Sequence, residues 1–372
     1  MDRMNTIPFQ PSDSFTLGIE LELQLLDPGS LDLVPRAPAL LAAVPENRRD
    51  RIKPEFIRSM VELNTRICTS VADAEGFLRD LHRQTEELAR DQDCLLLATS
   101  LHPFADSGQQ ILSSHPRYGR IMEDLQLVGR RFITQGLHVH VGMPDGETAI
   151  RVCDAIRLYL PIFLALTTSS PFFESRDTGL HSYRAKLFEA LPLAGIPDHF
   201  GTWRNFQQVA NLLFRTGIIQ EVRDLWWDVR PHPDFGTVEV RICDLPSRFR
   251  DILAMVALIQ AVVVTIANAD GATEPDPNMQ VLRSNKWQAA RYGLQGRFVD
   301  PAGPRRLTMA GAVRELLEFA RPAATALNTL PYLDTIADIL DHGTSADRQR
   351  LIYAETRDFP TMMRRMREEF WT

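Results

Sequence analysis

The sequence predicts an α+β protein whose strands each have one buried face and one polar face. Four separate segments alternate apolar and polar residues with a period of two, which is the pattern of a half-buried strand. Segments with helical periodicity lie between them, and the chain from Phe249 onward is expected to form four or five helices. Because the 372 residues contain no internal repeat and no long linker, we expect a single domain spanning residues 1–372.

The first strand is predicted over Phe15–Leu26 and has the longest regular alternation. All of its odd-numbered positions are apolar, whereas its even-numbered positions include Glu20 and Glu22. Side chains two positions apart leave a strand on the same face, so both carboxylates point away from the apolar layer. Two neighbouring negative charges require either water or cations, and which of the two they have decides the function.

A second pair of polar side chains follows in the extended segment predicted over Ile52–Ile67. It comes after a turn at residues 27–30 and a short strand at residues 31–34. Within the extended segment, Glu62 and Asn64 alternate with apolar residues, so they share the polar face of a strand.

Helices are predicted where apolar residues recur every three or four positions, with Asp73 expected to cap the first one. A bend is expected at Pro161. The longest apolar run, Ile252–Ala269, contains Gln260 and Asn268 and is expected to be a buried helix rather than a membrane span. The other predicted helices cover residues 73–92, 120–130, 148–169 and 203–219, and a wholly apolar strand is predicted over residues 94–99.

Two further strands complete a set of four polar faces. The second of them is introduced by residues 228–236, which are expected to form a loop. Together the four faces offer four glutamates and two histidines. If the strands share one antiparallel sheet, neighbours about 4.8 Å apart bring these groups within reach of shared metal ions. Glutamate oxygens and imidazole suit Mg²⁺ or Mn²⁺. The polar positions are His138 and His140 in the strand at residues 137–142, and Glu239 and Arg241 in the strand at residues 237–243.

Composition limits the classes of partner. The net charge of −7 argues against nucleic acid or an anionic membrane as the main partner. The four cysteines are scattered without a CxxC pair and residues 1–14 contain no apolar signal segment, so the cytoplasm is the expected compartment. No GxxxxGK[ST], GxGxxG or GxSxG motif occurs, which excludes a P-loop or a Rossmann turn for any nucleotide.

Two functional classes stay open from the residues alone. A metal-dependent hydrolase can also combine a His-x-His pair with carboxylates, to hold Zn²⁺ and activate water, although the majority of glutamates counts against it. A nucleotide- or metabolite-binding protein that has lost efficient chemistry would keep the same residues. The hydrolase predicts turnover without ATP, whereas the binding protein predicts Mg²⁺-ATP binding without substrate-dependent release of ADP.

Several long and unusual strings resemble those of one known family, in order from about residue 14 to residue 352. They are FTLGIELELQLLDP, GLHVHVGMPD, SSPFFESRDTGLHSYR, WWDVRPHPDFGTVEVRICD, NKWQAARYGL and GTSADRQRLI. The sequence resembles the type 2 glutamate–cysteine ligase family, the bacterial YbdK-type carboxylate–amine ligases that are related to glutamine synthetase.

This resemblance implies a glutamine synthetase-like fold, in which an antiparallel sheet forms a concave funnel backed by helices and holds ATP and Mg²⁺, with Mn²⁺ as a substitute. It also implies ATP-dependent joining of a small-molecule carboxylate and an amine through an acyl phosphate. The nominal pair is glutamate and cysteine, joined as γ-glutamylcysteine, and a homodimer is expected. The resemblance does not determine which carboxylate and amine this chain joins.

The resemblance also places the metal ligands and the predicted catalytic pair. Arg241, on the same face as Glu239, matches an arginine expected near phosphate, and these two residues form the catalytic pair. The expected metal ligands are Glu20, Glu22, Glu62, His140 and Glu239.

Other matching residues are expected to contact the substrates. Arg241, Asn285 and Arg291 match positions near nucleotide or phosphate. The predicted substrate-binding residues are His138, which has a secondary role, and the loop residues Arg176, Ser182, Tyr183 and Arg184.

Two departures from the family pattern bear on these expectations. Many relatives carry three consecutive glutamates where this chain has Glu20-Leu21-Glu22. Because Leu21 points into the apolar layer, the metal face is expected to be intact. Relatives tend to have glycine where Glu174 and Ser175 stand, and this difference affects the path of the loop and therefore substrate selectivity.

Overall fold

The centre of the protein is a seven-stranded antiparallel sheet, in a computed structural model that describes residues 6–269, 277–301 and 303–372. Residues 1–5 lie outside the described residues. They begin the segment at residues 1–14, for which the sequence predicts no signal peptide. The sheet consists of β1 (Leu17–Leu26), β2 (Ile52–Pro54), β3 (Met60–Asn64), β4 (Leu95–Leu97), β5 (Leu137–Gly142), β8 (Val229–His232) and β9 (Thr237–Val240). Two separate hairpins are β6 (Phe172–Phe173) with β7 (Arg176–Asp177), and β10 (Arg297–Val299) with β11 (Arg306–Thr308).

The strand order is β2-β3-β1-β5-β9-β8, with β4 paired to the end of β1. The four predicted alternating strands are therefore consecutive neighbours in one sheet, which confirms the condition on which a shared metal site depended. The apolar side chains of β1, including Leu17, Ile19 and Leu21, are buried in the main core. The opposite face of the same four strands is the polar one.

Helices cover the apolar face of the sheet and form the rest of the chain. The central one is α9 (Phe249–Asn268), which packs against β5 and three helices: α5 (Gly146–Ile156), α11 (Met309–Ala326) and α12 (Leu330–His342). It is the single described helix long and apolar enough to cross a membrane, and 89% of its most apolar window is buried inside the protein, as the sequence predicts. The helices are α1 (Ala37–Ala43), α2 (Val71–Asp91), α3 (Pro116–Leu125), α4 (Leu127–Arg130), α5 (Gly146–Ile156), α6 (Leu160–Thr167), α7 (Arg184–Glu189), α8 (Trp203–Arg215), α9 (Phe249–Asn268), α10 (Met279–Tyr292), α11 (Met309–Ala326), α12 (Leu330–His342), α13 (Ser345–Thr356) and α14 (Phe359–Glu368).

Some boundaries differ from the predictions for local reasons. The predicted helix at residues 148–169 is two helices, because Pro161 lies in the first turn of α6, where its missing N–H costs nothing. Ser70, and not Asp73, caps α2: its Oγ accepts a hydrogen bond of 3.1 Å from the Asp73 N–H. The predicted helix at residues 120–130 is interrupted at Gln126, whose φ is +50°.

The strand β8 was predicted as a loop. Pro231 lies within it and Pro233 follows it, and prolines in a short polar segment indicate a turn. Because β8 is the last strand of the sheet, one of its edges needs no hydrogen-bonding partner, and an edge strand can contain proline.

Candidate active site

A cleft of about 450 Å³ opens over the polar face of the sheet. The hydrogen-bonded register places the predicted side chains directly opposite one another. Glu22 pairs with Glu62 across β1 and β3, and Glu20 pairs with His138 across β1 and β5. His140 of β5 pairs in turn with Glu239 of β9. All four predicted polar faces therefore line this one cleft.

Glu20, His140 and Glu239 form the first cluster of possible ligands, with one ligand atom of each within 4.8 Å of the others. The His140 ring is oriented by Thr237, whose Oγ1 lies 2.9 Å from Nδ1. His140 Nε2 points to the two carboxylates, at 3.5 Å from Glu20 and 3.9 Å from Glu239. This nitrogen is buried and has no hydrogen-bond partner among the described residues. An imidazole fixed at one nitrogen and free at the other is the arrangement of a metal ligand.

Glu22, Glu55 and Glu62 form the second cluster, again with ligand oxygens within 4.8 Å of one another. The backbone N–H of Gly136 donates to Glu22 at 2.5 Å, and the Asn64 amide donates to Glu62 at 2.6 Å. These bonds hold two of the three carboxylates in place.

Glu55 was missed by the sequence analysis. It follows β2, whose Lys53 pairs with Glu62 across the strands, so residues 53 and 55 both reach the polar face. The alternation of Lys53 with Glu55 in a segment predicted to be extended is the signal that could have found it.

The two clusters differ in their balance of charge. Burial raises the pKa of Glu20, but the neighbouring His138 and His140 outweigh it and hold that pKa well below its ordinary value. In the second cluster, burial and the negative charge of Glu22 raise the pKa of Glu55 to about 8. Burial and the charges of Glu20 and Glu55 likewise raise the pKa of Glu62 well above its ordinary value. The second cluster therefore lacks positive charge, and a divalent cation fits it.

Two arginines hold Glu239. Arg230 donates to both of its carboxylate oxygens, at 2.6 and 3.2 Å, and Arg241 donates to Oε1. Burial alone would raise the pKa of Glu239, but the two arginine charges hold it well below its ordinary value. Arg241 reaches the cleft on the same face as Glu239, where the sequence analysis expected it. Arg230 was missed because it lies on β8, which was predicted to be a loop.

His138 lies between the two clusters. Its Nδ1 is 3.1 Å from Glu20 and its Nε2 is 4.0 Å from Glu22. Its Nε2 is buried and has no hydrogen-bond partner among the residues that the structure describes. His138, for which the sequence predicts a secondary role, therefore contacts carboxylates from both clusters.

One wall of the cleft is aromatic. Phe132 is central to this aromatic wall, with ring centroids 4.7 Å from Phe188 and 5.6 Å from Trp226. Trp226, which precedes β8 in the chain, also lines the cleft. The members of the wall are Phe56, Tyr118, Phe132, Phe188 and Trp226.

The predicted substrate-binding loop does not line the cleft. Ser182 is fully buried and donates to Asp244 at 2.8 Å, and Tyr183 packs against Phe173. Arg184 is 2% exposed, and its guanidinium donates to the backbone carbonyls of Arg241 and Ile242. Arg176 is exposed on the short β7 strand.

The two residues expected near nucleotide also lie outside the cleft. The Asn285 side chain is fully buried and bonds both the carbonyl and the N–H of Val299, at 2.7 and 2.9 Å. Arg291 donates to the Gly179 carbonyl and lies over the Tyr292 ring. Both side chains hold neighbouring chain segments together.

The chain is similar to known proteins over nearly its whole length. A family model described as glutamate-cysteine ligase family 2 matches residues 16–368. A Gloeobacter violaceus protein with the provisional name glutamate–cysteine ligase 2 is 40% identical over 358 residues, covering 95% of this chain and 96% of that protein. A Solibacter usitatus protein with the same provisional name is 37% identical over 366 residues, covering 96% and 93%.

Two solved structures share the fold. The glutamate–cysteine ligase of Francisella tularensis, in complex with AMP, superposes with a TM-score of 0.69 at 13% identity and covers 97% of this chain and 90% of that one. The bifunctional glutathione synthetase of Pasteurella multocida has the same TM-score at 16% identity and covers 96% of this chain and 52% of that one. At these identities the structures show the fold, which is the predicted one.

Proposed function

The chain belongs to glutamate–cysteine ligase family 2, and we propose that its cleft joins a carboxylate to an amine through an acyl phosphate, using ATP. One observation carries the proposal: two adjacent ligand clusters share the cleft with Arg241. Phosphoryl transfer to a carboxylate brings together several negative charges, and cations and arginines provide the compensating charge.

Glu20, His140 and Glu239 would hold one divalent cation, and Glu22, Glu55 and Glu62 would hold another. The donor set fits, because oxygen and imidazole ligands suit Mg²⁺ or Mn²⁺ and the second cluster lacks positive charge. Bound Mg²⁺ would neutralise charge on the β- and γ-phosphates of ATP during phosphoryl transfer.

The two arginines beside Glu239 have different roles. Arg241 has a buried Nε without a hydrogen-bond partner among the described residues, so a donor remains for a phosphoryl oxygen. Arg230 also donates to the carbonyls of Arg223 and Leu225, at 2.8 and 3.1 Å. Because these bonds and Glu239 occupy its guanidinium, Arg230 positions Glu239.

The reaction has two steps. A carboxylate oxygen of the first substrate attacks the γ-phosphorus of ATP, and ADP leaves with the electrons of the broken P–O bond. The amine nitrogen of the second substrate then attacks the acyl carbon and gives up one proton as the amide forms. Inorganic phosphate leaves with the electrons of the broken C–O bond. In the second step a negative charge develops on the oxygen of the tetrahedral intermediate, beside Arg241, which stabilises that charge by donating a hydrogen bond.

The finer assignments belong to the same proposal. Glutamate and cysteine are the nominal substrates, and the names of the two similar proteins support this pair. The AMP bound to the Francisella tularensis enzyme supports ATP as the nucleotide. We propose a cytoplasmic homodimer without a nucleic-acid or membrane partner. The four buried, unpaired cysteines agree with a reducing compartment.

The test is release of ADP and phosphate from Mg²⁺-ATP, glutamate and a panel of amines including cysteine, with the amide identified by mass spectrometry. The proposal expects ADP release that requires both substrates. Hydrolysis without ATP would instead identify a hydrolase. Binding of Mg²⁺-ATP without substrate-dependent ADP release for any pair would identify a binding protein.

A further inference from the structure

An exposed aromatic ring stands at the edge of the cleft on the β8–β9 turn, residues 233–236. Phe235 is 57% exposed, although it lines the cleft. Its ring is stacked on His232, with centroids 4.1 Å apart and planes 5° apart. One face of Phe235 is therefore covered, and more than half of the side chain remains accessible to solvent.

This ring is held rigidly. Gly236 has a φ of +63°, and a Cβ there would lie 1.9 Å from the Gln10 carbonyl oxygen, so only glycine fits beneath the N-terminal segment. The Gln10 N–H donates to Pro233 at 2.9 Å, and the Met143 N–H donates to Gly236 at 2.8 Å. The turn is thus fixed from both sides, and an exposed side chain on it has a defined position.

The position of the ring relative to the ligand clusters distinguishes the two ends of the cleft. The Phe235 centroid is 5.8 Å from the His140 ring, and His140 belongs to the first cluster, beside Arg230 and Arg241. The aromatic wall adjoins the second cluster, because Phe56 directly follows Glu55 in the chain. The Phe235 end of the cleft therefore adjoins the first cluster, whose Glu239 is paired with Arg230 and Arg241.

From this arrangement we propose that Phe235, supported by His232, is the stacking platform for the adenine base of ATP. The inference rests on the proposed function and extends it to the orientation of the nucleotide. A triphosphate held beside the first cluster leaves its base toward the cleft edge, where a flat, exposed, rigid ring stands. Stacking on an aromatic ring is the usual way in which proteins hold a nucleobase without reading its edges.

The test compares Mg²⁺-ATP with Mg²⁺-tripolyphosphate, which lacks the base, by isothermal titration. Phe235→Ala should weaken ATP binding about tenfold and leave tripolyphosphate binding unchanged. Phe235→Trp, which keeps a flat ring, should bind ATP with the same affinity as the wild-type protein. Phe319→Ala is the matched control, because Phe319 is 38% exposed and stacks on Tyr159 away from the cleft.

Two outcomes would overturn the platform: ATP binding that is unchanged in Phe235→Ala, or an equal loss of ATP and tripolyphosphate, which would indicate a disturbed turn. If the original protein binds tripolyphosphate and ATP equally well, the base makes no contribution and the inference fails while the phosphate site stands. If it binds neither, the proposed function fails first.

Discussion

At the scale of single residues, the cleft has an uneven balance of charge. Glu239 is paired with two arginines and Glu20 contacts two histidines. Glu55 and Glu62 have no ion-pair partner among the described residues, and their raised pKa values express that lack. A cluster of this kind destabilises the fold when it is charged and empty, and this cost is the structural sign of a cation site.

The first prediction concerns Glu55, which the sequence analysis missed. We expect Glu55→Gln to lower ligase activity at least tenfold, because one ligand of the second cluster is lost. Without divalent cations at pH 8, the same variant should have a higher melting temperature, because one repelling charge is removed. Ligase assays and thermal denaturation would measure both effects. The exposed Glu46→Gln is the control, and full activity of Glu55→Gln would exclude Glu55 from the metal site.

Arg184 separates a structural role from the predicted role in substrate binding. Its guanidinium lies 3.9 Å from the buried Asp244 and over the Phe188 ring. Arg184→Met would leave the Asp244 carboxylate buried without its cation, so we expect the free energy of unfolding to fall by about 3 kcal/mol. Chemical denaturation measures this quantity.

The comparison variant for Arg184 is Arg176→Met, since Arg176 comes from the same predicted loop but is exposed. It should leave the free energy of unfolding unchanged within about 0.5 kcal/mol. An Arg184→Met protein with unchanged stability and a raised KM for one substrate would restore the substrate-binding role.

At the scale of elements, the strands and helices that could be predicted from the sequence are those whose pattern is local. The alternation of β1, β3, β5 and β9 and the burial of α9 were predictable because the period and the apolar content are visible within one segment. The edge strand β8 was not, because its prolines are tolerated only by virtue of its place in the sheet.

The same distinction explains which site residues were found. Four ligand-type pairs were predictable because each repeats a two-residue period within a strand. Glu55 has the same local period with Lys53, but its importance and that of Arg230 come from the partners that the sheet brings opposite their strands: Glu62 across from β2 and Glu239 across from β8. Asn285 and Arg291 were placed near nucleotide by resemblance alone, and the structure gives their side chains partners elsewhere.

The contact between α2 and the C-terminal residues yields a prediction for acid stability. His82 of α2 is buried and stacks on Phe370 at 4.3 Å, and burial lowers its pKa to about 3. The unfolded chain binds the proton at about pH 6.5, so stability is complete above that pH and is lost progressively between pH 6.5 and 3. The loss from this group is about 2 kcal/mol at pH 5.

Replacement of His82 by phenylalanine should flatten this acid limb, because Phe keeps the stack and does not titrate. The measurement is the free energy of unfolding of both proteins at pH 7 and pH 5. Exposed His342→Gln should leave the pH dependence as it is. An identical acid limb in His82→Phe would show that other groups cause the loss.

At the scale of the whole molecule, folding and cation binding make opposing demands on the same residues of the sheet. Six described glutamates line the cleft, and all but Glu221 belong to the two ligand clusters: Glu20, Glu22, Glu55, Glu62 and Glu239. The core beneath them is apolar and continuous with α9, so the strands that carry these charges cannot move apart without exposing it. The fold therefore holds the carboxylates together whether or not a cation neutralises them.

The resulting prediction is a pH dependence that cations reverse. A carboxylate with a raised pKa in the folded state stabilises the protein below its unfolded pKa of about 4.3, and that stability is lost as the pH rises through the folded value, about 8 for Glu55. Above pH 6.5 the buried histidines whose pKa is lowered, His82, His102 and His232, no longer oppose this slope, so the metal-free melting temperature should fall between pH 6.5 and 8.

Saturating Mg²⁺ should remove that fall, because the ion binds the ionised carboxylates and its stabilisation grows with pH. Thermal denaturation at pH 6.5, 7.25 and 8, with EDTA and with Mg²⁺, measures the difference between the two curves. In Glu55→Gln the metal-free slope should be shallower, since one titrating group is absent. If the curves of melting temperature against pH are parallel with and without Mg²⁺, the carboxylates do not bind the ion. The assignment of the two clusters as cation sites would then be wrong.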